Sequence, residues 1–203
     1  VVLFAGLLTV ASGQRVSAHE QEQITLDVIS DFRGTASNVF FYYSDVEAAT
    51  KFYRDILGLR VAADYGFAKI MEVSPNSFIT LVDATNSLHP ADEPKTTAIA
   101  LITDELEEWW DYIRTQDVEL RTDEFKAVAG RPHHGFVAVD PEGYLLEFER
   151  FNAHEENRQL MPILDDTATL YPEVGKSNVP PGLGFKATVV WFYYKDMQQI
   201  QRF

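Results

Sequence analysis

The sequence predicts an α+β protein built from two consecutive βαβββ modules. Three observations carry that reading. A strand followed by an amphipathic helix and three further strands occurs twice in order; the second copy closes on the turn sequence Asp140-Pro141-Glu142-Gly143; and the opening of the first copy recurs near the end of the chain. Proline presets one central φ of such a turn and glycine accepts the positive φ that completes it, so residues on either side are placed as a hairpin.

In the first module, Asn38-Val39-Phe40-Phe41-Tyr42-Tyr43 is a β-type run, and Ser44 or Asp45 can cap the helix that follows. Val46, Ala49, Tyr53, Ile56 and Leu57 recur at helical spacing and Gly58 supplies the stop. Strands are expected at 59–64, 67–73 and 78–83, separated by Tyr65-Gly66 and Ser74-Pro75-Asn76. After a polar loop at 85–95 the order returns. A strand at 96–102 precedes a helix striped by Leu106, Trp109, Trp110 and Ile113, and strands at 118–121, 136–139 and 144–151 complete the second module. Module one spans 38–84 and module two 96–151.

The flanks are read differently. Residues 1–11 form an apolar run too short to span a bilayer, and Val16-Ser17-Ala18 offers the small residues of a cleavage site, so residues 1–18 read as an N-terminally incomplete secretory signal; the expected location is periplasmic or secreted, with no stable membrane association after cleavage. Residues 19–37 are a polar lead-in. Residues 152–184, with prolines at 162, 172, 180 and 181, read as an interdomain linker. Val190-Trp191-Phe192-Tyr193-Tyr194-Lys195-Asp196 then repeats the pattern of Val39 to Asp45 at an offset of 151 residues, and residues 185–203 read as the truncated start of a third module with no sheet to join. The expectation is a fragment at both ends, whose parent carries a second pair of modules.

Composition narrows the chemistry. The 31 acidic residues against 17 basic ones give a net charge of −14, which repels phosphate backbones and anionic lipid and argues against nucleic-acid partners. The absence of cysteine excludes disulfides, thiolate metal sites and a cysteine nucleophile. No glycine-rich phosphate loop, Ser-His-Asp order or nucleophile elbow is present.

Two βαβββ units closed by Asp140-Pro141-Glu142-Gly143-Tyr144-Leu145-Leu146-Glu147-Phe148, with Phe52-Tyr53 and Ile56-Leu57-Gly58-Leu59 in the first helix, resemble the vicinal oxygen chelate superfamily of glyoxalases, bleomycin-resistance proteins and extradiol dioxygenases. The resemblance implies an incomplete barrel-like cleft and four metal-ligand positions on the first and last strands of each module. Matched by motif, these fall at Asn38, about Thr80, Thr97 or Ala98, and Glu147. One carboxylate among neutral side chains is a poor donor set, so no cofactor is expected in this pair, with a divalent metal (Fe, Zn, Ni or Mn) held through Glu147 as the alternative.

Strand parity puts Asn38, Phe40 and Tyr42 on one face, where with Phe78 and Thr80 they can line an aromatic-edged pocket. Glu147 is either a cleft base and hydrogen-bond acceptor or a sheet-face carboxylate paired with an arginine. His133 and His134 are placed in a loop near one end of the cleft. His134 is the candidate proton-transfer partner of Glu147, while His133 and Arg131 are candidate ligand contacts, Arg131 for an anionic group. The expected activity is binding of a small, partly aromatic molecule, with a possible homodimer. The alternatives are a metal-dependent lyase or dioxygenase whose active pair is the C-terminal half of the parent, and a structural module.

Overall fold

The protein was analysed as a computed structural model, which describes residues 35–202. Residues 1–18, read above as a secretory signal, and 19–34 of the lead-in lie outside the described residues.

The first module contains β1 (Ser37–Tyr43), α1 (Val46–Lys51, continued by one π turn, Phe52–Ile56), β2 (Arg60–Asp64), β3 (Ala68–Ser74) and β4 (Ser77–Asp83). Asp45 caps α1 by accepting from the N–H groups of Glu47 and Ala48. The second module contains β5 (Thr97–Ile102), α2 (Leu106–Ile113), β6 (Glu119–Leu120), β7 (His133–Val139) and β8 (Leu145–Phe151). Beyond it lie α3 (Met161–Asp165), β9 (Ala187–Phe192) and α4 (Met197–Gln201).

The strands form two mixed sheets, in the order β1-β4-β3-β2 and β6-β7-β8-β5-β9. In each module the first strand runs parallel to the last and the remaining contacts are antiparallel. Neither sheet closes on itself, which is the open α+β architecture that the sequence predicts. The side chains facing α1 and α2 make one continuous core: Phe41, Tyr43, Tyr53, Ile79 and Leu81 from module one, with Ile99, Leu101, Trp109, Phe136 and Phe148 from module two.

The turn at 140–143 locks the modules together. Asp140 is buried, and its carboxylate accepts from the Tyr43 hydroxyl at 2.6 Å, the Tyr53 hydroxyl at 3.0 Å, and the N–H groups of Tyr144 and Glu142 at 2.8 and 3.0 Å. Burial pushes its carboxyl up, and these hydrogen bonds pull the other way. Next to it, the Tyr144 ring stacks on Phe41 at 3.9 Å and its hydroxyl accepts from the Tyr42 N–H. Glu142 accepts from both the N–H and the hydroxyl of Ser44. Gly143, at φ 92°, supplies the conformation that lets the chain turn here.

The structure revises the reading of the C-terminal third. Residues 152–184 are packed: Leu164 and Leu183 are buried, the Trp109 indole N–H donates to the Gly184 carbonyl, and directly after them the buried Phe185 stacks on Trp109 at 4.6 Å. Pro172 seats so closely over Gly58 that a Cβ there would come within 2.4 Å of its ring. These anchors are irregularly spaced, so no period in the sequence signals them. The strand β9 also finds a sheet, contrary to expectation, pairing antiparallel with β5 from Thr97↔Phe192 to Ile102↔Ala187.

Replacing Asp140 with Ala leaves two buried hydroxyls and two N–H groups without their acceptor and should cost on the order of 3 kcal/mol in urea unfolding. Asp140→Asn, which keeps one acceptor oxygen, should cost less.

Candidate functional site

Strand alternation on β1 turns Phe41 and Tyr43 into the core and leaves Asn38, Phe40 and Tyr42 on the opposite face. Asn38 Oδ1 accepts from the Thr80 hydroxyl at 2.9 Å, a polar pair beside the aromatic side chains. Phe40 is 55% exposed, although it sits in the middle of a strand. Two concavities meet at Phe40 and Tyr42. One, of about 520 Å³, is walled by Phe67, Thr80, Val82 and Leu88. The other, of about 370 Å³, lies between the modules and is walled by Asn38, Lys95, Thr97, Tyr144 and Phe192. The Lys95 ammonium stands 4.5 Å from the centre of the Tyr144 ring. Phe78 shares the face of Asn38, opposite it in the β1–β4 register, but is half-buried and lines neither concavity.

A second group forms on the other sheet. His133 and His134 lie on β7 rather than in a loop, so parity sends them to opposite faces. His133 faces Glu147 and Glu149 of β8; its Nδ1 lies 2.7 Å from Glu149 Oε1, and one donor atom from each of the three falls within 4.8 Å of the others. That approach is too bent for a hydrogen bond, and neither Glu149 oxygen has one although the side chain is 0% exposed. Burial, and next the charge of Glu147, push the Glu149 carboxyl up to about 8. Burial also raises that of Glu147, while His133 and the Trp191 side chain act to lower it. Gly135 makes room for the pair: a Cβ there would lie 3.1 Å from Glu147 Oε1 and 2.9 Å from the Phe148 carbonyl.

His134 points toward the face of β7 that carries α2. Asn152 Nδ2 donates to the Arg131 carbonyl and to His134 Nδ1, so Nδ1 is an acceptor and Nε2 carries the proton that it donates to the Val128 carbonyl. That assignment sets aside the alternative contact from the Val128 N–H. His134 thus pins the 123–132 loop to β7, on the face away from Glu147. Arg131 is exposed and contributes its carbonyl to that tether.

Sequence reasoning passed over Glu149. Its place two residues after Glu147 puts both carboxylates on one face, and that parity was the available signal; its burial has no counterpart in the local pattern. Leu160 and Leu164 pack on Ala100 and Ile102, the β5 partners of Glu147 and Glu149.

The profile of the Glyoxalase/Bleomycin resistance protein/Dioxygenase superfamily matches residues 36–148, more than half of the chain. The chain belongs to that superfamily. Solved structures similar to it include lactoylglutathione lyase from Agrobacterium tumefaciens, at 18% identity and TM-score 0.47 over 58% of this chain and 94% of that one. TioX from Micromonospora sp. ML1 has 13% identity and TM-score 0.48 over 59% and 100%. A glyoxalase/bleomycin resistance protein/dioxygenase from Nocardioides has 20% identity and TM-score 0.49 over 64% and 94%. No curated protein matches.

The four positions that the resemblance picks out do not form a donor set suited to a first-row metal. Asn38 and Thr80 hydrogen-bond to each other, Thr97 shares the parity of the core-facing Ile99 and Leu101, and Ala98 has no donor atom. Only Glu147 carries a metal-binding group, and its neighbours are His133 and Glu149.

A carboxyl raised in the folded state binds its proton more tightly there than in the unfolded chain. Its contribution is therefore fully present below the ordinary glutamate range and lost as pH rises through about 8. With His133 and Glu147 the titratable groups facing it, Glu149→Gln in the presence of chelator should raise the melting temperature at pH 8 and flatten its decline between pH 5 and 8.5. Parallel wild-type and variant curves would contradict this.

Proposed function

We propose that this superfamily member binds a small, partly aromatic molecule against Phe40 and Tyr42. The observation that supports this most is the exposed Phe40 at the junction of two concavities, flanked by Tyr42 and the Asn38–Thr80 pair. Leaving a phenyl ring in water forgoes most of its burial free energy, roughly 1.5–3 kcal/mol, which a planar ligand stacked on it recovers. The fixed Asn38 amide and Thr80 hydroxyl offer hydrogen bonds to one polar edge of the ligand, and Lys95, across the inter-module concavity, favours an electron-rich or anionic substituent. Sequestration of this kind needs no reactive group among the contacts. The apolar run at 1–11 and the small residues at 16–18 support export of the protein, so that binding would occur outside the cytoplasm.

Titrated with a neutral environment-sensitive aromatic dye such as Nile red, the protein should show saturable fluorescence enhancement. Phe40→Ala should weaken the affinity about tenfold while leaving the melting temperature within about 1 °C, as expected for a surface substitution. Dye affinity unchanged in Phe40→Ala would place the site elsewhere.

A further inference from the structure

His133, Glu147 and Glu149 stand on adjacent antiparallel strands, and nothing in the lock or the aromatic concavities uses them. We infer that they form a divalent-cation site of this chain, displaced onto β7 and β8 from the four superfamily positions and sharing with those only Glu147. Donor chemistry and geometry agree. One imidazole nitrogen and two carboxylate oxygens suit a borderline first-row cation such as Mn²⁺, Fe²⁺ or Zn²⁺. An ion that holds three donors at about 2.1 Å spaces them about 3.4 Å apart in tetrahedral geometry, and these three already lie within 4.8 Å of one another.

One observation points directly to a ligand, and a second is compatible with it. The Glu149 side chain is fully buried, and both of its oxygens lack a hydrogen bond while Oε1 faces His133 Nδ1. A buried carboxyl group whose oxygens make no hydrogen bond is a costly arrangement, and a cation that binds it in ionised form would satisfy both oxygens. The backbone is also cut back where the group needs space. Opposite Glu149 in the β7–β8 register stands Gly135, and any side chain there would press on the Glu147 carboxylate and the Phe148 carbonyl. Among the described residues no lysine or arginine forms an ion pair with Glu147 or Glu149; the side chain paired with Glu149 is His133, whose imidazole nitrogen is itself a metal donor.

The register explains how the set is held. Val137 faces Glu147, Gly135 faces Glu149, and His133 reaches Glu149 diagonally from the solvent end of β7. Two donors are fixed on β8, paired with the β5 residues Ala100 and Ile102 on which Leu160 and Leu164 pack, and the third approaches from the exposed side. An ion held by three protein donors keeps at least one position for water or for a ligand oxygen, on the His133 side where solvent enters.

The test is calorimetric titration of the full chain, stripped with chelator, with MnCl₂ and with ZnCl₂, alongside melting curves. One equivalent of cation should bind and raise the melting temperature. Glu149→Gln and His133→Ala should each weaken binding by roughly tenfold or more, and Asn38→Ala should leave it unchanged. His133 is exposed, so its loss does not threaten folding, and a melting temperature retained in metal-free His133→Ala confirms that a loss of binding is a loss of donor. Absence of a stoichiometric binding event, or one that persists in both Glu149→Gln and His133→Ala, overturns the assignment. Dye binding at Phe40 is independent of either result.

Discussion

The buried carboxylate of Asp140 is the constraint on which the rest of the molecule depends. It belongs to a turn of the second module, yet two of its four donors are tyrosine hydroxyls of the first. Hydrogen bonds between buried groups tolerate little displacement, because each one lost exposes a polar atom to a place without water. Asp140 therefore sets the position of the β7–β8 hairpin against β1 and α1. Tyr144 and Glu142 extend the same contact to Phe41, Tyr42 and Ser44.

The same lock accounts for how the two candidate sites are separated. Turning Phe41 and Tyr43 inward to meet Tyr144 and Asp140 obliges Asn38, Phe40 and Tyr42 to face outward, since neighbours on a strand alternate. Carrying Leu146 and Phe148 into the core next to Trp109 obliges Glu147 and Glu149 to the far side of β8. Each site is the reverse face of a core strand, and the packing that stabilises the fold also dictates which groups are left for chemistry. Beyond the modules, Phe192 of β9 adds to the wall of the inter-module concavity, and Leu160 and Leu164 pack on the β5 partners of Glu147 and Glu149.

Much of the fold was legible because its signals are local and periodic. The helical stripe of Val46 to Leu57, the alternation on β1 and the Asp-Pro-Glu-Gly turn each declare themselves within about ten residues. The aromatic face followed from parity alone. What was not legible depends on distant partners. The anchors Leu164 and Leu183 carry no period, so a packed strap looked like a linker. His133 and His134 looked like loop residues because Gly135 interrupts the β-type run, whereas the strand extends through it and sends them to opposite faces. Glu149 was visible as a residue but not as a buried one, because strand parity assigns a side chain to a face and does not tell what covers that face.

Superfamily membership supplies the scaffold and leaves the chemistry to the side chains. The account thus rests on two distinct regions of one locked fold, an aromatic face on β1 and an acid-histidine group on β7 and β8. Nitrogen-15 correlation spectra of the labelled protein test this most directly, recorded with substoichiometric Mn²⁺ and separately with a neutral aromatic ligand. The account predicts that Mn²⁺ first broadens the amides around 133–135 and 147–149 while the aromatic ligand shifts those of 38–42. Broadening centred on 38–42, or ligand shifts centred on 147–149, would contradict it.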